Sequence, residues 1–183
     1  RKEKQLEDEL GADVFGTWVH KVLELVDKEV VENYEGVYDR VNLADVVLGL
    51  DGYLEKAMAS IQEKEGVFEV EKGFNFVLKE VAKTLLESYY SKSNFSKNTK
   101  IIDLESVLTA NLKVAWEQEI LDVKLTGRID RLDVLEDREI RIIDYKTGKV
   151  EKLELKSGEL GLRNSILTGE LKPKILQLWL YKY

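Results

Sequence analysis

The pattern of apolar residues changes near residue 100, and this change limits the possible folds more than any other feature of the chain. Before it, apolar residues recur every three or four positions, as in helices that bury one face. After it, segments rich in Val, Ile and Leu alternate with polar residues, as in strands. A mainly helical part over residues 1–98 and a sheet-forming part over residues 99–183 predict an α/β or α+β domain.

Two helices are predicted in the first 65 residues. The first covers residues 12–31, where apolar residues recur at helical spacing: Val14, Trp18, Val22 and Leu25. Asn42 is a candidate N-cap of the second helix, which is predicted to run to residue 64. Asp45 lies in its first turn, where a carboxylate interacts favourably with the helix dipole.

A third helix is predicted over residues 73–90, followed by a polar loop over residues 91–100. Its apolar side is expected to face the core. The residues on that side are Phe74, Val77, Leu78, Val81, Leu85 and Leu86.

Three strands are predicted, at residues 101–112, 123–135 and 139–147. A tight polar turn at residues 136–138 joins the last two into a β-hairpin. Gly148 ends the hairpin, and Pro173 begins a final helix over residues 174–183. The expected architecture is a helical half packed on a central mixed β-sheet, with a C-terminal helix.

Length and composition indicate one domain over residues 1–183, with a substantial core. The abrupt start at Arg1 and the end within a predicted helix suggest a fragment of a longer protein. The absence of cysteine excludes disulfides, thiolate zinc sites and iron–sulfur clusters, and it fits a reducing compartment. No apolar run is long enough for a membrane span and no signal core follows the N-terminus, so a cytoplasmic location is expected.

The net charge of −7 argues against nucleic-acid binding, but the charge is unevenly distributed. Residues 145–183 contain eight basic and four acidic residues. A local basic region can bind phosphate groups despite an acidic total. An ordinary solvated surface explains the same charges, so charge alone does not decide between the two.

Asp144 and Lys146 form an acid–lysine pair in the last predicted strand. Strand side chains alternate, so both project from one face, about 6–7 Å apart at their backbones. Such a pair can hold a divalent cation and direct a water toward phosphorus. The same spacing recurs at Asp122/Lys124, Glu154/Lys156 and Glu170/Lys172. An ion pair at a strand end is the alternative, although Asp144 follows two apolar isoleucines, where a charge is costly unless paired.

Asp130 lies on the preceding predicted strand, on the same face as Arg128 and Leu132. The hairpin can bring its carboxylate near that of Asp144, because opposed residues on paired strands lie about 5 Å apart. Two carboxylates this close repel unless a cation joins them. Oxygen ligands select hard cations, so Mg²⁺ or Mn²⁺ is predicted.

The sequence around these residues resembles the motifs of a nuclease family. Residues 127–133 (Gly-Arg-Ile-Asp-Arg-Leu-Asp) and 142–148 (Ile-Ile-Asp-Tyr-Lys-Thr-Gly) resemble the nuclease motifs of the RecB/AddB group, within the PD-(D/E)XK superfamily. Residues 16–20 (Gly-Thr-Trp-Val-His) resemble its helical glycine–histidine motif, and residues 177–181 (Gln-Leu-Trp-Leu-Tyr) its glutamine–tyrosine motif. The motifs follow the family's order across nearly the whole chain. Some members carry an iron–sulfur cluster, which this cysteine-free chain lacks the ligands to hold.

The resemblance implies a restriction-endonuclease-like fold with a metal site on the sheet. The implied metal ligands are Asp130, Asp144, the backbone carbonyl of Tyr145 and His20. Lys146 would orient the attacking water or stabilise the transition state. Gln177 and Tyr181, which are four residues apart on one helix face, would support the site or contact the DNA backbone. Glu105 is a further candidate acid at the metal.

The expected function is Mg²⁺- or Mn²⁺-dependent DNA hydrolysis, as an exonuclease of repair or recombination acting on single strands or duplex ends. No Walker A string occurs, so any helicase motor would lie in a domain or subunit outside this chain. A module that holds DNA ends without cutting is one alternative, which the intact Asp130, Asp144 and Lys146 argue against. A structural or interaction protein with coincidental motif matches is the other.

Overall fold

A computed structural model describes residues 9–65, 68–92, 95, 99–116, 118–135 and 138–148. These contain the helices α1 (Ala12–Asn33), α2 (Arg40–Leu48), α3 (Leu50–Glu65) and α4 (Gly73–Lys92). The strands are β1 (Lys100–Leu104), β2 (Val107–Trp116), β3 (Glu119–Arg128), β4 (Arg131–Val134) and β5 (Ile140–Ile143). The predicted α/β class is confirmed, whereas the helix predicted at residues 174–183 lies outside the described residues. None of the described helices is both long and apolar enough to cross a membrane.

The chain divides into two compact units. The first comprises residues 1–107 and 128–147, and it contains the four helices and a three-stranded sheet of order β1-β4-β5. The second comprises residues 108–127 and 148–183. Its described part consists of most of β2 and β3, which form a two-stranded sheet.

Both pairings of the three-stranded sheet are antiparallel, with β4 in the centre. Leu104 of β1 lies opposite Arg131 of β4. On the other side of β4, Arg131 lies opposite Ile143 and Val134 lies opposite Ile140. The predicted hairpin is therefore confirmed. The parallel pairing that a mixed sheet requires does not occur between the strands that the structure describes.

Two of the predicted strands are interrupted, and the interruptions are paired with each other. The first breaks between β1 and β2 at Glu105, which has a φ of 52°. The second breaks between β3 and β4 at Ile129 and Asp130. The N–H of Glu105 donates to the Asp130 carbonyl at 2.9 Å, and the N–H of Ile129 donates to the Ser106 carbonyl at 2.9 Å. The two bends therefore satisfy each other's backbone groups, which periodicity alone does not reveal.

The second predicted helix consists of two helices, and its start was assigned three residues too late. Asp39 is the N-cap of α2, and its Oδ1 accepts the N–H of Val41 at 2.8 Å and that of Asn42 at 2.9 Å. Asn42 Oδ1 accepts the Asp39 N–H at 2.8 Å, which completes a capping box. Gly49 then ends α2, with its N–H bonded to the Asp45 carbonyl at 2.9 Å.

Helix α1 supplies the centre of the core, as its periodicity predicts. Trp18, Val22 and Val26 are fully buried. The indole N–H of Trp18 donates to the carbonyl of Leu54 in α3 at 2.9 Å, so this large side chain is buried with its polar atom satisfied. Ile101 of β1 belongs to the same core cluster, which joins the sheet to the helices.

The predicted inner face of α4 is wrong at four of its six positions. Phe74, Val77, Val81 and Leu85 are exposed, whereas Leu78 is partly buried and Leu86 is buried. Asn75 and Lys79 are buried instead. Asn75 accepts the Leu10 N–H at 2.8 Å, and Lys79 pairs with Glu71. These partners allow polar side chains to occupy positions that the sequence pattern assigns to solvent.

Two glycine-to-alanine substitutions should have opposite effects on stability. Gly36 has a φ of 81°, and an added Cβ would lie 2.7 Å from the Ile101 carbonyl oxygen. Gly36→Ala should therefore lower the free energy of unfolding by about 1–3 kcal/mol. Gly52 lies in α3 with no atom within 4 Å of an added Cβ, so Gly52→Ala should raise it by up to about 1 kcal/mol. Urea denaturation measures both changes. Stabilisation by Gly36→Ala would contradict the left-handed backbone conformation of Gly36 and its close approach to Ile101.

Candidate functional site

Asp130 and Asp144 flank the β4–β5 hairpin at its open end. Asp130 directly precedes β4, Asp144 directly follows β5, and the last opposed pair is Arg131 and Ile143. The two acids are therefore next in register, although the prediction that they lie within strands is wrong. Asp130 leaves the ladder because its carbonyl pairs with Glu105 in the neighbouring bend.

Asp130 meets His20 and the backbone of Tyr145. Its Oδ2 accepts the Tyr145 N–H at 2.6 Å and lies 3.7 Å from His20 Nδ1. The His20 and Tyr145 rings pack edge to face, with centroids 6.0 Å apart. The structure thus brings together a carboxylate, an imidazole and the segment that follows β5.

Lys146 contacts both of its predicted neighbours. Its ammonium forms an ion pair with Asp144 Oδ2 and lies 3.3 Å from the Tyr145 carbonyl oxygen. These are two of the oxygens predicted as metal ligands, and in this structure a lysine ammonium supplies the positive charge beside them. The ion pair predicted as the alternative is therefore present. The same ammonium contacts both the Asp144 carboxylate and the Tyr145 carbonyl, which are oxygens of the type that binds cations.

Glu105 is close to the site but is neutralised by an arginine. Its Oε2 accepts Arg128 Nε at 3.1 Å and Nη2 at 2.8 Å. Both residues line the same cleft as Asp130. Glu105 is therefore a fixed negative charge near Asp130, paired with a cation from within the chain.

His20, Glu105, Arg128 and Asp130 line an open cleft of about 710 Å³. Its walls comprise Ala12, Asp13, Gly16, Thr17, His20, Lys21, Glu24, Ser60, Ile61, Lys64, Glu105, Arg128, Asp130 and Thr147. Gly16 allows the segment after β5 to approach α1 closely, since an added Cβ would lie 3.0 Å from Thr147 Oγ1. Helix α1 and the end of α3 therefore line the same open cleft as Asp130.

The donor types suit Mg²⁺ or Mn²⁺. Carboxylate and carbonyl oxygens from Asp130, Asp144 and Tyr145 are hard ligands, and the imidazole of His20 is a nitrogen donor that Mn²⁺ also accepts. Over the described residues, no three His, Cys, Asp or Glu side chains gather closely enough to form a metal cluster. The predicted ligand set therefore relies on the carbonyl of Tyr145 in addition to the side chains.

A buried ionic network contacts Tyr145 and includes Arg131, the residue that follows Asp130. Arg131 donates to Asp133 through Nε at 2.6 Å and Nη2 at 3.0 Å, and to Asp27 through Nη1 at 2.9 Å. All three side chains are at most 1% exposed. Arg141 adds a second cation at Asp133, with Nη2 2.7 Å from Oδ2. Burial opposes the charge on Arg131, but Asp27 and Asp133 raise its pKa, so the guanidinium remains charged.

Two phenol hydroxyls complete the shell of Asp27. Tyr38 donates to Oδ1 at 2.5 Å and Tyr145 donates to Oδ2 at 3.0 Å. Burial raises the pKa of both tyrosines well above the ordinary value, so both hydroxyls keep their protons and act as donors. Burial also raises the pKa of Asp27, while Arg131 and the phenols favour its charged form.

The sequence motifs gave no role to Asp27, Arg131 and Asp133. A signal was present, because Arg131 and Asp133 alternate and must share one face of β4. Asp27 follows His20 by seven residues on an otherwise apolar helix face. Three charges on inward-facing positions indicate a buried network, since an isolated buried charge is too costly to persist.

The remaining predicted site residues fall into two groups. Gln177 and Tyr181, with Trp179 of the same motif, lie outside the described residues. Tyr89, Tyr90 and Phe95 pack in the core, with Tyr90 2% exposed and its ring stacked on Phe95 at 6.1 Å. These three aromatics therefore belong to the packing of the core.

Comparison with known proteins identifies the relatives of this arrangement. The family model of the PD-(D/E)XK nuclease superfamily matches residues 1–183. An uncharacterized protein of Rickettsia felis is 25% identical over 178 residues, and one of Rickettsia conorii is 28% identical over 189 residues. Each match covers 93% of this chain and 18% of the relative, so the chain spans about a fifth of the length of these curated relatives. No solved structure gives a significant match.

Arg131 and Arg128 belong to the same motif, but replacing the buried Arg131 should cost far more stability than replacing the exposed Arg128. Arg131→Leu removes the cation that neutralises the buried carboxylates of Asp27 and Asp133. It should lower the free energy of unfolding by roughly 3–5 kcal/mol. Arg128→Leu removes an exposed ion pair to Glu105 and should change it by no more than about 1 kcal/mol. Urea denaturation compares the two, and equal losses would contradict the role assigned to Arg131.

Proposed function

Because the chain belongs to the PD-(D/E)XK nuclease superfamily, we propose that it hydrolyses DNA phosphodiester bonds with Mg²⁺ or Mn²⁺ at Asp130, Asp144 and Lys146. The observation that carries this proposal is the contact of Asp130 with the segment after β5, through the Tyr145 N–H at 2.6 Å. This contact joins Asp130, which lines the cleft, to the segment after β5 that carries Asp144 and Lys146. The family match also makes a coincidence of motifs, the second alternative, untenable.

Each residue has a role that its contacts support. Asp130, Asp144 and the Tyr145 carbonyl would hold the cation, with His20 as a further ligand or a contact to Asp130. The cation, when bound, lowers the pKa of water and neutralises charge on the phosphate oxygens. Lys146, which now contacts Asp144 and the Tyr145 carbonyl, would orient the attacking water or stabilise the charge of the transition state.

The finer assignments rest on the motif resemblance. They include the RecB/AddB type, exonuclease action in repair or recombination, and cooperation with a helicase outside this chain. Gln177 and Tyr181 are proposed to support the site or to contact the DNA backbone. A module that binds DNA ends without cutting has the same cleft, and only cleavage separates it from the nuclease.

Cleavage of end-labelled linear and circular single-stranded DNA with Mn²⁺ or Mg²⁺ tests the proposal. Lys146→Ala should cut about 10²–10³-fold more slowly while binding metal nearly normally, and Asp144→Ala should lose metal as well. Lys124→Ala is the matched control, because Lys124 follows Asp122 at the same spacing on the exposed side of β3. Survival of the circles indicates an exonuclease. Wild-type rates for Lys146→Ala would refute the catalytic assignment.

The cleft also predicts a lysine that contacts the substrate backbone. Lys21 pairs with Glu24 and Arg128 pairs with Glu105, but Lys64, at the end of α3, forms no ion pair with the described residues. A lysine of this kind in a nuclease cleft is expected to bind a phosphate of the strand.

Lys64→Ala should therefore raise KM about two- to fivefold without changing kcat, because an exposed ion pair contributes up to about 1 kcal/mol. It should also reduce the slope of log affinity against log salt by about 0.7–1. Lys56→Ala is the control, since Lys56 lies on the same helix over the Tyr53 ring. Equal salt slopes for wild type and Lys64→Ala would exclude the contact.

A further inference from the structure

We propose that the hydroxyl of Tyr145 and the buried carboxylate of Asp27 position the Tyr145 backbone for the cation, so that the ionic network in the core sets the metal affinity of the site. This inference rests on the proposed function, since it concerns the same metal site. Tyr145 and Asp27 are positioning residues here, because the Tyr145 side chain and Asp27 act through the backbone carbonyl rather than on the substrate.

Tyr145 is held at two points on opposite sides of its Cα. Its N–H donates to Asp130 Oδ2 at 2.6 Å, and its hydroxyl donates to Asp27 Oδ2 at 3.0 Å. The carbonyl proposed as a ligand belongs to the same residue, and the flanking residues are Asp144 and Lys146. A shift of the ring would therefore move the carbonyl and the two neighbouring side chains together.

Asp27 is itself fixed by groups that also fix the other acid. Its Oδ1 accepts Arg131 Nη1 at 2.9 Å, and Arg131 is the residue directly after Asp130. Arg131 is held in turn by Asp133 through two hydrogen bonds. One buried carboxylate thus connects both sides of the site, to Asp130 through the chain at Arg131 and to Asp144 through the chain at Tyr145.

Stability alone does not explain this arrangement. Replacing a buried ionic network by apolar side chains of similar volume is often neutral or stabilising, so the network is not the most stable way to fill this space. What the network does provide is fixed geometry, because each carboxylate oxygen has a directional partner. Groups that orient metal ligands from behind typically change metal affinity or activity by about 10–100-fold when they are removed.

Two tyrosines donate to Asp27, and replacing each of them by phenylalanine tests the proposal. Tyr145→Phe and Tyr38→Phe each remove one phenol hydrogen bond from Asp27, on Oδ2 and Oδ1 respectively. Both leave an aromatic ring in place, buried at Tyr38 and partly buried at Tyr145, but Tyr145→Phe also removes a hydroxyl contact with Tyr89 at 3.5 Å, so urea denaturation of each variant accompanies the metal titration. Of these two tyrosines, only Tyr145 connects Asp27 to the proposed ligands, so only Tyr145→Phe should weaken Mn²⁺ binding.

The measurement is Mn²⁺ titration of the 183-residue chain, with free Mn²⁺ followed by electron paramagnetic resonance. Tyr145→Phe should raise the Kd for Mn²⁺ about 10–100-fold, and Tyr38→Phe should change it by less than about twofold. Hydrogen exchange gives a second readout, because the Tyr145 amide should exchange faster in Tyr145→Phe alone. The Gly52→Ala background, which is expected to be more stable, keeps both variants folded during these measurements.

Each outcome decides a separate point. Equal effects of the two variants on Mn²⁺ affinity, or no effect of either, would reduce the Tyr145–Asp27 contact to ordinary core packing. A wild type that binds Mn²⁺ but cuts no DNA would overturn the proposed function and leave the positioning role to be decided by the same titration. A wild type that binds no Mn²⁺ would overturn both.

Discussion

The guanidinium of Arg131 lies between the carboxylates of Asp27 and Asp133, and all three groups are withdrawn from water. Such burial is costly unless every charge is paired and hydrogen-bonded, and here the fork of Arg131 meets Asp133 with two bonds and Asp27 with a third. Arg131 is also the first residue of the central strand. The ion pair of Arg131 with Asp27 therefore ties β4 to α1, and it lies one residue away from Asp130 in the chain.

One face of α1 organises the whole site. Gly16, His20 and Asp27 are spaced by four and seven residues, so they lie along the same side of the helix. Gly16 admits Thr147, His20 faces Asp130, and Asp27 accepts Arg131 and Tyr145. The helix therefore contacts both chain segments at the open end of the hairpin, the one that enters β4 and the one that leaves β5. The contacts at Gly16 and His20 are partly exposed, whereas the contact at Asp27 is buried.

Local patterns predicted the parts of this structure that local forces decide. Helical periodicity identified α1 and its buried Trp18, and the polar turn identified the hairpin, because each signal lies within a single segment. The inner face of α4 was wrong because Asn75 bonds to Leu10, 65 residues away, and a distant partner leaves no trace in periodicity. The strand breaks at Glu105 and Asp130 were not predicted for the same reason, because the two bends form hydrogen bonds with each other across the sequence.

The candidate site shows the same division between motif and context. Asp122 and Lys124 have the spacing of Asp144 and Lys146 but lie exposed on β3, where strand geometry alone orients them. The difference lies in the residue between the acid and the lysine. Tyr145 is anchored at its amide by Asp130 and at its hydroxyl by Asp27, so the residues on either side inherit a fixed position. In the proposed site, the acid and the lysine depend on the backbone between them, which is held by the contacts of Tyr145 with Asp130 and Asp27.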